Sequence, residues 1–184
     1  PNQNREDAES NHFFMKIPKY IEFHNRTNSV LSRFLKAAEP EEGCCILIGK
    51  TNSSTKDHKR NIWEVTHVWN CQNIWGEEES RLIDQNIEAV SNQKNMQLSK
   101  KNCFEIDAKD QIASHKWARE NDLEVLCCAH SHPLNENRPS EMDLLFHQPP
   151  GLMVISNKDG DLKAWWIKNK LKFHSVKIEV FSLT

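Results

Sequence analysis

The sequence predicts a mixed α/β domain with one central β-sheet and helices on its flanks. Apolar runs rich in β-compatible side chains occupy residues 42–49 and 123–129, and both are short enough to be buried strands. Apolar and polar residues alternate over 62–69, as in a half-buried strand. Apolar residues at helical spacing over 28–38 lie among these runs, and interspersed strands and helices indicate the α/β class.

The predicted elements belong to a single domain at residues 18–184, preceded by a polar extension at 1–17. The extension ends in an apolar run, 12–17, which we expect to be an edge strand or a docking segment. A hairpin-like turn at 157–160 joins two of the later strands. The predicted strands are, in chain order, 42–49, 62–69, 103–106, 123–129, 152–156, 162–167 and an edge strand at 176–181.

Two helices are predicted between these strands. The first, 28–38, has Asn28 or Ser29 as its N-cap and ends before Pro40. The second runs over 107–120, where Asp107 is the expected N-cap. Its residues Ile112, Ala113 and Trp117 share one face, which we expect to pack against the sheet.

A polar stretch at about 77–101 is interpreted as an insertion within the domain. Ile83, Ile87 and Val90 share one helical face, so a short amphipathic helix is predicted there. Long connections in a compact domain tend to be functional or disordered. A substrate-gripping flap and a tolerated surface insertion both fit the sequence.

Composition excludes several classes of protein. The formal charge is −2, so no global basic field points to a nucleic-acid partner. The apolar runs are too short to span a bilayer, and the polar N-terminal segment has no signal-peptide core. We therefore expect a cytoplasmic protein with no nucleic-acid or membrane partner, and the sequence does not indicate its oligomeric state.

The cysteines are expected to be small buried hydrophobic residues. No C-x-x-C pair occurs, so a second zinc site is not predicted. Adjacent cysteines in a strand point to opposite faces, and a reducing cytosol disfavours disulfides. The six are Cys44, Cys45, Cys71, Cys103, Cys127 and Cys128.

The segment from residue 130 to 143 predicts a metal site. His130 and His132 follow the 123–129 strand two residues apart, so both imidazoles point to the same face and Ser131 points away from it. Ser140 is a typical helix N-cap, and Asp143 then lies in the first helical turn, where a carboxylate stays ionised. Catalytic zinc takes three protein ligands and leaves one position for water. Two histidines and an aspartate in this arrangement therefore predict a zinc hydrolase.

A hydrolase of this kind also needs a general base. Glu41 and Glu42 stand at the head of the 42–49 strand, and the residues alone do not choose between them.

The spacing His130-x-His132-x7-Ser140-x2-Asp143 resembles the signature of the JAMM (MPN-plus) zinc metalloprotease family. The segments 69–73, 104–107 and 116–119 look like the segments before this signature in small prokaryotic members. The resemblance covers roughly residues 28–170, apart from the insertion.

The same family pairs its signature with an upstream pattern similar to E-x-x-G-L-L-x-G. The segment from Glu42 to Gly49 aligns with this pattern, so the resemblance selects Glu42 and not Glu41. Cys45 stands where the family has its first glycine, so the backbone packing there is expected to differ.

The resemblance implies a cytidine-deaminase-like MPN domain and a mechanism. One catalytic zinc ion would be held by His130, His132 and Asp143, with Glu42 as general base and Ser140 as oxyanion donor. The implied reaction cleaves peptide or isopeptide bonds after the C-terminal glycine of a ubiquitin-like or sulfur-carrier protein. The extended tail of that partner would add as a strand beside the catalytic groove.

Two other functions remain open from the sequence. Some MPN domains lack the ligands and act as non-catalytic scaffolds, although all five expected positions are filled here. A zinc-binding interaction module without turnover also fits the residues.

Overall fold

The computed structural model describes residues 17–51, 61–76 and 98–182. Within them the chain forms seven strands and three helices. The strands are β1 (Tyr20–His24), β2 (Cys44–Thr51), β3 (Ile62–Cys71), β4 (Glu124–Ser131), β5 (Gly151–Ser156), β6 (Leu162–Asn169) and β7 (Lys172–Phe181). The helices are α1 (Asn25–Ala37), α2 (Ala108–Glu120) and α3 (Glu141–Phe146).

The described strands form one mixed sheet that closes into a barrel, in the order β1-β3-β2-β4-β5-β6-β7. Neighbours run antiparallel except for β1 with β3, β4 with β5, and the closing pair β1 with β7. A mixed sheet was predicted, but its closure was not. Each barrel strand has two neighbours, although some pair over only part of their length, as β3 does with β1 over Ile62–Val65.

The barrel interior and α1 share the main hydrophobic core. Every strand contributes to this core, as expected where alternate side chains of a closed sheet point inward. Leu31 and Leu35 of α1 pack into the same cluster. Cys45 lies there too, because β2 turns Cys45 and Leu47 to the interior and Cys44 and Ile46 to the outside.

Helices α2 and α3 cover parts of the outer barrel surface. Ala118 of α2 packs on the outward residues of β2, and Leu144 of α3 packs on those of β5 and β6. The outer side of the sheet is therefore also buried in places. For this reason the neighbouring Trp165 and Trp166 are both buried although they point to opposite faces.

The first helix and the strand before it differ from the prediction. β1 was not predicted, although Ile21 and Phe23 alternate with polar residues. α1 begins directly after β1, at Asn25, so neither Asn28 nor Ser29 is its N-cap. The Ser29 hydroxyl donates instead to the carbonyl of Asn25, one helical turn earlier.

Three later predictions are also corrected. The 103–106 strand is wrong, because Ile106 makes only an isolated bridge with Asn73. The face of α2 is rotated, with Ile112 70% exposed and Ala118 buried. β7 is not an edge strand, since it pairs with both β6 and β1.

Other expectations agree with the structure or lie outside it. Asp107 caps α2 by accepting from the amide of Lys109. The β5–β6 hairpin has the predicted turn, with positive φ at Gly160. The predicted helix in the insertion, the start of the 12–17 run and most of the 50–60 connection lie outside the described residues.

Two glycines near Cys45 are closely packed against neighbouring backbone: Gly43, just before β2, and Gly49, within β2. A Cβ on Gly43 would lie 2.8 Å from the carbonyl oxygen of Leu35 in α1, and a Cβ on Gly49 would overlap the Glu64 carbonyl. Glycine at these two positions therefore allows α1 and β3 to approach β2. Among the residues that the structure describes, no helix is long and apolar enough to cross a membrane.

Candidate metal centre and active site

The two histidines of the motif meet at the end of β4. His130 is fully buried and His132 is 3% exposed. Their Nε2 atoms lie 3.0 Å apart, as the two-residue spacing in a strand requires for side chains on one face. Pairing of β4 with β2 and β5 holds this strand end on both sides.

Asp143 joins the histidines from the first turn of α3. Its Oδ1 lies 3.1 Å from Nε2 of His130, and its Oδ2 lies 3.2 Å from Nε2 of His132. Ser140 caps the helix in a complete capping box. Its Oγ accepts from the Asp143 amide at 3.1 Å, and its own amide donates to Asp143 Oδ2 at 2.6 Å. The cap therefore orients the Asp143 carboxylate toward the imidazoles.

Glu42 reaches the same cluster from the residues just before β2. The side chain is buried, and its Oε1 lies 3.9 Å from Nε2 of His132. Glu41 is exposed. The geometry thus places Glu42, and not Glu41, beside the histidines.

Two different contacts orient the imidazoles. Nδ1 of His132 lies 2.9 Å from the Glu136 carbonyl oxygen, which can only accept, so Nδ1 carries a proton and Nε2 is the nitrogen that faces Asp143. Nδ1 of His130 has no hydrogen-bond partner in the described part of the chain. The ring of His130 is instead stacked on Phe104, with centroids 4.4 Å apart and planes 25° from parallel.

Burial and mutual charge shift the pKa values of this cluster. Burial raises the pKa of Glu42 to about 8, with His132 opposing and Asp143 reinforcing the shift. Burial also lowers the pKa of His130. Burial alone would raise the pKa of Asp143, but the two histidines outweigh burial and hold the pKa of this carboxyl well below its usual range. The cluster therefore contains an ionised carboxylate beside a buried carboxyl group that is able to exchange a proton near neutral pH.

The donor set fits a divalent metal. Two imidazole nitrogens and a carboxylate converge within hydrogen-bond distance of one another, and the lone pairs of two neutral imidazoles would repel at 3.0 Å without a cation or proton between them. Ligand atoms of Glu42, His130 and His132 also lie within 4.8 Å of one another. Both carboxylates are thus near enough to the histidine pair to take part in a metal site.

A cavity of about 590 Å³ lies beside Asp143, between α2 and α3. Its walls are largely apolar, and Trp75, Phe104, Ile106 and Met142 contribute to them. His147 also lines the cavity, and its Nε2 is buried without a hydrogen-bond partner among the described residues. The cluster therefore adjoins a recess large enough for several side chains.

All five residues selected from the sequence meet here, with Ser140 joined to the cluster through Asp143. Sequence reasoning missed three supporting residues: Ser131, Asn73 and Phe104. Ser131 does face away from the histidines, but its Oγ accepts from the Gly43 amide at 2.8 Å, next to Glu42. The only signal for the other two was their position in segments that look like those of small prokaryotic family members.

Comparison with known proteins adds independent information. A family model described as prokaryotic homologs of the JAB domain matches residues 24–168. A desampylase from Pyrococcus furiosus is 35% identical over 78 residues, which are 42% of this chain and 56% of that protein. The chain thus spans little more than half the length of this curated relative.

Two solved structures resemble this one in fold. A protein from Desulfitobacterium hafniense has a TM-score of 0.66 at 21% identity, covering 89% of this chain and 94% of that one. A protein from Salinibacter ruber has a TM-score of 0.56 at 24% identity, covering 87% of this chain and 91% of that one. Both likenesses extend over nearly the whole described domain.

Proposed function

Because the chain belongs to the family of prokaryotic homologs of the JAB domain, we propose that it is a zinc metallopeptidase of the JAMM type. One observation carries the proposal: His130, His132, Asp143 and Glu42 converge in a buried cluster beside a cavity. Buried ionisable groups with shifted pKa values beside a cleft are typical of functional sites.

His130, His132 and Asp143 would hold one zinc ion. When bound, zinc supplies Lewis acidity, which makes a water molecule more acidic and polarises a carbonyl group. The Asp143 carboxylate offsets the positive charge, and the Glu136 carbonyl keeps the His132 lone pair directed at the site.

Glu42 would act as the general base. Its pKa of about 8 describes the metal-free cluster, and a nearby cation favours its ionised form. The carboxylate takes a proton from the attacking water and passes it to the leaving amine. Its burial keeps bulk water away from this proton.

Ser140 would donate to the developing oxyanion. Its oxygen accepts from the Asp143 amide, so the hydroxyl proton remains available to a substrate. A single donor of this kind contributes roughly 3 kcal/mol to transition-state stability. The cap thus leaves Ser140 one hydrogen bond to offer.

The proposed substrate is a ubiquitin-like or sulfur-carrier protein, cleaved after its C-terminal glycine. The relative that is named a desampylase supports this class, since the name is that of an enzyme that removes a ubiquitin-like modifier. The cavity beside Asp143 adjoins the cluster and has largely apolar walls, so it is the proposed place for the extended tail. Addition of the tail as a strand beside the catalytic groove stays a prediction.

The test is zinc content together with cleavage of fusions whose ubiquitin-like part ends in glycine. We expect wild-type protein to bind one zinc and to cleave at least one fusion, with activity lost on chelation and in His130→Ala. Glu42→Gln should retain zinc but lose activity. Full activity in Glu42→Gln would refute the assignment of the base.

The same experiment separates the two other functions. Protein that is purified without chelator and contains no zinc would indicate a scaffold. Zinc binding without cleavage of any fusion would indicate an interaction module.

A further inference from the structure

Asn73, two residues beyond the end of β3, is buried at a junction of three backbone segments. Its Nδ2 donates to the carbonyls of Glu42 and Cys103, each at 3.0 Å. Its Oδ1 accepts from the amides of Trp75 at 3.0 Å and Glu105 at 3.2 Å. One side-chain amide therefore ties Glu42, two residues before β2, to the loop that precedes α2.

The backbone around Glu42 is held at each polar group. The Glu42 amide donates to the Lys100 carbonyl at 2.6 Å, and the Glu42 carbonyl accepts a hydrogen bond from Nδ2 of Asn73. Gly43 exchanges two bonds with Ser131, from its amide to Oγ at 2.8 Å and from the Ser131 amide to its carbonyl at 3.0 Å. Asn73 is thus the side chain that contacts Glu42 itself within this clamp.

The contacts of Asn73 with the loop before α2 connect it indirectly to His130. Cys103 and Glu105, which Asn73 bonds, flank Phe104 in the chain. The Phe104 ring is stacked on His130, whose Nδ1 has no hydrogen-bond partner in the described segments. Stacking on Phe104, together with the contact of Nε2 with Asp143, therefore sets the plane of this imidazole.

We propose that Asn73 is a positioning residue, which fixes Glu42 directly through its carbonyl and His130 indirectly through Phe104. The inference rests on the proposed function, because it takes Glu42 as the base and His130 as a metal ligand. A loop residue with a purely structural role would affect stability without affecting the geometry of the site.

The first experiment compares Asn73→Ala with Leu31→Ala. Leu31 is fully buried in the barrel core on α1, so its truncation lowers stability without touching the site. Each protein is loaded with Co²⁺ alone, and its visible absorption and Co²⁺ affinity are measured at a temperature where both are folded. We expect Asn73→Ala to alter the spectrum and to weaken affinity about 10- to 100-fold, while Leu31→Ala retains wild-type values.

Kinetics on a fusion that wild-type protein cleaves provide the second readout. Asn73→Ala should lower kcat about 10- to 100-fold with little change in KM, because Glu42 acts in the chemical step. Leu31→Ala should keep its kcat. A wild-type spectrum together with a wild-type kcat in Asn73→Ala would overturn the inference.

Three further variants complete the test, one at Asn73 as a guard against misfolding and two at Phe104. Asn73→Ser, which is neutral and too short to bridge the same partners, decides the point by the same spectrum and kcat if Asn73→Ala does not fold. Phe104→Leu should alter the Co²⁺ spectrum. Phe104→Tyr keeps the aromatic ring and should retain the wild-type spectrum. Equal spectra for Leu and Tyr would remove the His130 part of the proposal.

Failure of the proposed function is seen separately. It appears in wild-type protein, as an absence of metal binding or of cleavage, before any variant is made. Failure of the present inference appears only in the variants of a protein that binds metal and turns over.

Discussion

Ser131 illustrates how a residue between two proposed ligands acts on a third group. Its side chain points away from the histidines and accepts from the amide beside Glu42. The β-strand alternation predicted this direction but not the partner, since Gly43 lies 88 residues earlier in the chain. A local pattern gives the face of a side chain, and only the fold supplies its neighbour.

Removal of that hydroxyl leaves the buried Gly43 amide without an acceptor. We expect Ser131→Ala to lose about 1–3 kcal/mol of unfolding free energy, measured by urea denaturation of the metal-free protein. Ser29→Ala is the matched control, because the Ser29 hydroxyl is bonded on an exposed helix surface, and it should change stability by less than about 0.5 kcal/mol. Equal losses in the two variants would contradict the role of the Ser131–Gly43 bond.

The cysteines behave as the sequence predicted, with all six free and five of them buried. Burial raises the pKa of Cys45 and of Cys103 to about 12, and that of the half-buried Cys128 to about 11. Because an unfolded thiol ionises near pH 9 while these stay protonated, the native state binds more protons above pH 9 and loses stability there.

Alkylation rates test this pattern of thiol pKa values. Native protein should react slowly with iodoacetamide at pH 8, Cys128 before Cys45 and Cys103, and the rates should keep rising with pH through pH 10. Mass spectrometry of digested samples measures each site, and urea-unfolded protein is the control. Labelling of Cys45 as fast as Cys128 in the native state would show that the burial described here is wrong.

At the scale of elements, α3 and its N-cap carry two proposed roles, that of a metal ligand and that of an oxyanion donor. A capping box was expected from Ser140 and Asp143, and it forms as predicted because the pattern is local. The proposed ligand and the proposed oxyanion donor therefore share one helix start. Their roles remain predictions.

Variants of Ser140 separate the cap from the hydroxyl. Ser140→Ala should cost about 1 kcal/mol of stability, whereas Ser140→Gly should cost only a few tenths, since glycine is tolerated at this position. Both variants remove the donor, so both should lose roughly 100- to 1,000-fold in kcat. Thermal unfolding and turnover measure the two effects, and activity that followed stability alone would refute the donor role.

Element boundaries were predicted least well where tertiary contacts decide them. α1 begins three residues before its expected cap because β1 leads directly into it. The loop around Phe104 was predicted to be a strand, but its backbone groups bond to the side chain of Asn73. Neither outcome has a local sequence signature.

For the whole molecule, the sequence indicated a mixed sheet but not a barrel. The middle strands carry strong apolar patterns and were predicted. β1 is short and was not predicted, and the largely exposed β7 was predicted only as an edge strand. Closure depends on the register of Tyr20 with Lys177, which no periodicity reveals. The cytidine-deaminase-like arrangement remains a prediction.

Closure makes the C-terminal strand part of one cooperative unit. Val176 of β7 is buried in the core shared by all seven strands. Val176→Asp should therefore abolish cooperative thermal unfolding and zinc binding together, since a charge is buried without a partner. Ser175→Asp, which places the same charge on an exposed neighbour, should leave both unchanged. Retention of zinc binding in Val176→Asp would show that the site folds independently of the seam.

The pairing of β1 with β7 also determines when the protein can fold during its synthesis. Tyr20 of β1 meets Lys177 of β7, so the sheet cannot close until nearly the whole described chain has been translated. At about 5–20 residues per second, β1 waits roughly 8 to 30 seconds for its parallel partner. During that time Ile21 and Phe23 lack one side of their final environment. The nascent chain, more than the finished barrel, is therefore the form that depends on protection from aggregation in the cell.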